Sequence, residues 1–188
     1  MIFIEVSYEI SQICIVNKKW YAMNGLDSQA YLTGLIISNI VAILFLIAAF
    51  RWPKIARVLF LLLFSWASWM NWKTPLENPT VYLEYAGLTW SSFYKDFING
   101  WFSKNIQLAV GIVATSQGLI AISMILKGWI FKAGAIGAIL FLLAIVPLGV
   151  GSGFPCTIIF AAAMFLLIKK EDRYLWKVKH RRLSQAEY

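Results

Sequence analysis

Histidine is nearly absent from this chain, with His180 the single instance in 188 residues, and cysteine occurs only at Cys14 and Cys156. One imidazole near the C-terminus cannot build a zinc or haem site inside an apolar segment, so no metal ligand set is expected. The two cysteines stand far apart and form no Cys-x-x-Cys, which argues against a thiol oxidoreductase centre. Charge is also scarce, at 14% of residues against 60% hydrophobic. No Asp, Glu, Lys or Arg falls well inside a long apolar run, which counts against a proton pump or a charge-coupled transporter. Phosphate-binding loops, nucleophile elbows and dinucleotide fingerprints are missing too, and no catalytic residue can be named.

What the chain has instead is hydrophobic length. A spanning helix needs about 20 apolar residues to cross roughly 30 Å of hydrocarbon. Five stretches qualify as spans: 31–50, 55–72, 106–126, 133–151 and 152–168, the last one short. The expected fold class is all-α, an integral membrane helical bundle of five transmembrane helices.

The basic residues fall on alternate sides of these spans. With the N-terminus outside, twelve of the seventeen Lys and Arg lie on inner connections and the tail, among them Arg51, Lys54, Arg57, Lys127 and Lys132. Lys18, Lys19, Lys73, Lys95 and Lys104 lie outside, with six of the nine acids. Inserting chains keep Lys and Arg on the cytoplasmic side, so the reading is N-terminus outside and C-terminus cytoplasmic. The net charge of +8 follows from this alternation, and it does not suggest nucleic-acid binding, because the basic residues form no single soluble surface.

Residues 1–30 read as an external N-terminal segment. A cleaved signal peptide is not expected, because 1–16 lacks a basic start and carries Glu5 and Glu9. Residues 169–188 form a basic cytoplasmic tail whose Tyr174 and Trp176 suit adsorption to anionic lipid.

The outer connection, 73–105, is too long and too aromatic for a plain linker. Asn78-Pro79 predicts a helix start, and Phe93, Phe97 and Trp101 make a stripe at i, i+4, i+8. Two short amphipathic helices are expected here, forming an external lid over the bundle. In the third span Gly111, Ala114, Gly118 and Ala121 recur at heptad-like spacing, and Gly134 and Ala138 repeat the device in the fourth, so helix backbones can approach closely. Pro147 and the run from Gly149 to Pro155 predict a tight hairpin between the fourth and fifth spans.

Uncharged polar residues gather in the outer halves of the spans. Asn39 lies at mid-depth, Ser65, Ser68 and Asn71 in the second span, Gln107, Thr115, Ser116 and Gln117 in the third, and Thr157 in the fifth. They read either as interhelical hydrogen bonds or as the walls of a chamber open to the outside. The candidate ligand-binding set is Asn39, Trp66, Trp69, Asn71 and Gln117, beneath a lid bearing Glu84 and Asp96. Cys14 and Cys156 both map to the outside and could be bridged there.

Three features resemble the DoxX-like family of small bacterial multi-pass membrane proteins over residues 55–168. They are the four-span layout, the stretch Tyr94-Lys95-Asp96-Phe97-Ile98-Asn99-Gly100-Trp101 before a Gly/Ala-rich span, and Pro147 followed by the Gly-Ser-Gly-Phe-Pro turn. The resemblance implies a four-helix bundle in the bacterial cytoplasmic (inner) membrane. Some relatives are described as subunits of quinone-linked sulfur oxidation or as partners of redox and stress proteins. This chain adds the 31–50 helix and the N-terminal segment, and no catalytic residue carries over.

Two functions compete on these grounds. One is a non-catalytic membrane subunit that docks another membrane or external protein through its small-residue seams and lid. The other is a binder of a lipid, quinone or similar amphipathic molecule in an outward-facing chamber. No cofactor is expected beyond such a bound lipid or quinone.

Overall fold

A computed structural model describes residues 29–170. The N-terminal segment up to residue 28 with Cys14, and the tail from residue 171 with His180, lie outside the described residues. The described chain is helical throughout.

Helix α1 spans Gln29–Arg51 and α2 spans Pro53–Glu77, with Trp52 alone between them. Proline suits the first turn of α2, because the N–H it lacks would be unsatisfied there in any case. After α2 come a 3-10 turn (Pro79–Glu84), α3 (Tyr85–Leu88), α4 (Ser92–Phe97) and a π turn (Ile98–Phe102). The long helices resume with α5 (Ile106–Ser123) and α6 (Gly128–Ala144). A 3-10 turn (Val146–Ser152) then leads to α7 (Cys156–Lys170).

Three of these helices are long and apolar enough to cross a membrane: α1 from Tyr31, α2 and α5. The count is four if α6 and the turn after it, bent by 80°, form one broken span. At 15 residues α7 is shorter, with a length of only ~22 Å at 1.5 Å per residue. The fourth stretch, expected to run to 151, ends as a helix at Ala144. Pro147 removes a backbone donor, and Gly149 adopts φ +64°, which a residue with a Cβ seldom takes.

The five long helices form a closed ring in the order α1, α2, α5, α6, α7, each touching the next and α7 touching α1. Outward faces are as apolar as the interior: Ile36, Ile40, Leu44 and Ile47 of α1, Leu62 of α2 and Leu140 of α6 are all exposed. Such a surface is stable in lipid, where lipid tails replace water. Toward the Trp52 end the ring is filled by Phe45, Phe60 and Phe160, whose rings meet edge to face at 4.9–6.0 Å.

The small residues expected to form seams are used inside the ring. Ala114 and Ala121 of α5 are buried, and a Cβ on Gly118 would stand 3.2 Å from Ser68 Oγ of α2. Gly134 of α6 lies so close to Ser123 that a Cβ there would overlap the serine side chain.

Arg57 departs from its expected place on an inner connection, because its side chain is fully buried. Its Nε donates to Met124 O at 3.0 Å, and its Nη2 donates to the carbonyls of Met124 and Leu126. Those carbonyls follow the end of α5, where the last turn of a helix leaves acceptors unsatisfied. A guanidinium answers them with several donors and with charge of the favourable sign.

Candidate functional site

Where the ring widens toward the Glu77 end of α2, a cavity of about 550 Å³ lies among α2, α5, α6 and α7. Phe64, Phe141, Leu142 and Phe160 form its apolar wall, and Tyr85, Tyr94, Phe97 and Phe102 of the 79–102 segment close its outer side. Three contacts tie this segment to residues 144–154. Tyr94 O–H donates to Ala144 O, Thr89 O–H donates to Pro147 O at 2.6 Å, and Trp90 packs edge to face on Phe154 at 5.1 Å. Gly149 and Gly151 permit the contact. A Cβ on Gly151 would stand 2.4 Å from the Tyr85 ring, and one on Gly149 would stand 3.0 Å from Leu88 O.

A hydrogen-bonded chain enters the wall from outside. Tyr82 O–H donates to Asn71 Oδ1 at 3.0 Å, and Asn71 Nδ2 donates to Gln117 Oε1 at 2.8 Å. All three residues line the cavity. One turn below, Ser68 O–H donates to Ala114 O at 2.7 Å and helps hold α2 against α5. Burial pushes the phenols of Tyr82 and Tyr85 above the usual tyrosine range, and the neighbouring Glu84 adds to the effect at Tyr85.

The predicted set divides. Trp66, Asn71 and Gln117 line the cavity, whereas Asn39, Trp69, Glu84 and Asp96 do not. Asn39 faces the turn before α7, its Nδ2 donating to Leu35 O at 2.8 Å and to Gly153 O at 3.4 Å. Trp69 is 57% exposed, with Lys73 Nζ 5.4 Å from its ring centre, as an interfacial tryptophan would be. Glu84 accepts from Tyr31 O–H at 3.0 Å and joins α1 to the 79–102 segment. Asp96 lies exposed on α4.

Cys156 is a free, buried thiol in the cavity wall, and Cys14, with which it could be bridged, lies outside the described residues. At the first position of α7 its sulfur turns inward, 3.8 Å from Ser152 O. Among the described residues no group of three or more His, Cys, Asp or Glu could hold a metal ion.

The sequence reading passed over the aromatic walls, Phe64, Phe141 and Phe160. For Phe64 a signal is present at helical spacing, since Arg57, Phe60, Phe64, Ser68 and Asn71 fall on one stripe of α2. Comparison of the chain with protein-family models, curated proteins and solved structures finds no match.

Proposed function

We propose that this chain is a five-span membrane protein that binds an amphipathic small molecule in an outward-facing chamber. Its N-terminus would lie outside and its C-terminus in the cytoplasm, with the 79–102 segment as the lid. The carrying observation is the cavity of about 550 Å³, mostly apolar, with the Asn71–Gln117 pair in its wall. Small-molecule sites typically have volumes of about 300–1,000 Å³, apolar walls and a few placed polar groups. Trp66 supports entry from the bilayer, since it lines the cavity and is also 60% exposed on the outer face of the ring.

The competing reading, a docking subunit, draws on small-residue seams and on the outer lid. Ala114, Gly118, Ala121 and Gly134 pack α2, α5 and α6 against one another, which weighs toward the chamber reading. Kinship with DoxX-like proteins, placement in a bacterial inner membrane and adsorption of the tail to anionic lipid belong to the same proposal. No catalytic step is included in it.

The test is extraction in mild detergent followed by mass spectrometry of the organic extract. The chamber reading expects a stoichiometric small molecule, retained less well by Gln117→Leu at unchanged helicity. A protein recovered repeatedly with an empty extract, and with a second polypeptide at fixed ratio, would favour docking instead.

A further inference from the structure

Two chamber-lining residues carry polar donors at an otherwise apolar wall. The first is the amide nitrogen of Gln117. Its oxygen accepts from Asn71, whose own oxygen accepts from Tyr82, so the chain of donors runs inward and ends on Gln117 Nε2. Gln117 is only 4% exposed and lines the chamber.

The second is the hydroxyl of Thr157, a residue 3% exposed whose Oγ1 has no hydrogen-bond partner. Hydroxyls in helices usually donate back to the carbonyl four residues earlier, as Thr33, Thr115 and Ser116 do here. For Thr157 that carbonyl is Gly153 O, and it already accepts from Cys156 N at 2.9 Å and from Asn39 Nδ2 at 3.4 Å. The hydroxyl is thereby left for whatever occupies the chamber. A buried polar group without a partner costs about 1–3 kcal/mol, so the Thr157 hydroxyl calls for an occupant that answers it, with the Gln117 amide in the same wall.

Resting on the chamber reading above, we propose that the occupant is a neutral, carbonyl-bearing hydrocarbon molecule. Its carbonyl oxygen accepts from Gln117 Nε2 and Thr157 Oγ1, and its hydrocarbon body lies against Phe64, Phe141 and Phe160. Neutrality follows from the wall, which among the described residues contains no Lys, Arg, Asp or Glu. An anionic head would be desolvated there without a counter-charge. A carbonyl follows from the donors, since Gln117 offers only N–H to the cavity and Thr157 can donate as well. Esters, ketones and amides share this chemistry.

A photolabel tests the assignment on the full-length protein in detergent. The label is methyl dodecanoate carrying a diazirine near the chain end, with labelled peptides read by mass spectrometry. Competitors are methyl dodecanoate, dodecane and, at pH 8, dodecanoate. The expected result is labelling within α2, α5 or α6 at chamber residues, with methyl dodecanoate competing about tenfold or more better than the other two. Thr157→Val, which keeps the shape and removes the hydroxyl, should cut that preference several-fold while labelling persists. Gln117→Leu should do the same, and Thr157→Val carries the test alone if the Gln117 variant fails to fold. Chamber labelling competed equally by dodecane, or best by dodecanoate, would overturn the carbonyl assignment and leave the chamber standing. Labelling confined to lipid-facing residues would overturn both.

Discussion

The guanidinium of Arg57 lies 4.1 Å from the centre of the Phe131 ring, so a cation is stacked on an aromatic face in the interior of an apolar bundle. The same group holds the carbonyls of Met124 and Leu126, which links α2 to the end of α5 and to α6. Arg57→Met should therefore destabilise the protein by roughly 2–4 kcal/mol, because it orphans buried carbonyls. Arg57→Lys should recover only part of this, since an ammonium lacks the planar fork that serves two carbonyls and a ring together. Thermal unfolding in detergent checks both, and a Lys variant as stable as wild type would reject the account.

Gly134→Ala is a second test, because two effects oppose each other. In an open helix the change gains up to ~1 kcal/mol of propensity. Here the new Cβ would fall 1.7 Å from Ser123 Oγ, so the expected outcome is a clear loss of stability. Adding Ser123→Gly should restore most of it. Non-additivity in this double-mutant cycle is the readout, and independent, additive losses would mean the helices do not meet here.

The Asn71–Gln117 pair should show the asymmetry of a buried hydrogen bond. Asn71→Leu leaves Gln117 Oε1 without its donor and should cost ~1–3 kcal/mol. The double variant Asn71→Leu with Gln117→Leu removes both polar groups and should be no less stable than the single one. Urea or thermal titration in detergent decides this, and a double variant that loses the sum of two single losses would count against the pairing.

Alkaline pH should loosen the 79–102 segment. The phenols of Tyr82 and Tyr85 are raised above 10.0 in the folded state, chiefly by burial. Above pH 10 the unfolded chain releases these protons while the folded one keeps them, so their stabilisation is complete below that pH and lost as pH rises through the folded values. Tyr85→Phe should flatten the decline in stability between about pH 9.5 and 11 relative to wild type. Parallel curves for the two proteins would show that this phenol does not titrate differently on unfolding.

Topology can be read with reporter fusions after Trp52, Asn78, Leu126 and Gly153. These should alternate inside, outside, inside, outside. A cytoplasmic signal after Asn78 would invert the chamber and place its opening on the wrong face.

Local chemistry carried the sequence reading a long way. The stretch 31–50 became Gln29–Arg51, and 106–126 became Ile106–Ser123, because the length of an apolar run and the proline or glycine at its end act on the residues beside them. Asn39 and Asn71 look alike on those terms, each a lone amide in an apolar helix. Only the ring separates them, because the rotation of each helix about its axis decides what each amide meets. Asn39 turns to the Gly153 carbonyl and Asn71 to Gln117 at the chamber wall. Arg57 shows the same limit. Counting charges along the chain assigns it to an inner turn, but its position on the stripe with Phe60 and Phe64 carries it into the ring, where the end of α5 supplies the acceptors. The long helices follow from near neighbours in sequence. The cavity depends on four helices meeting at particular rotations, and no single helix encodes that.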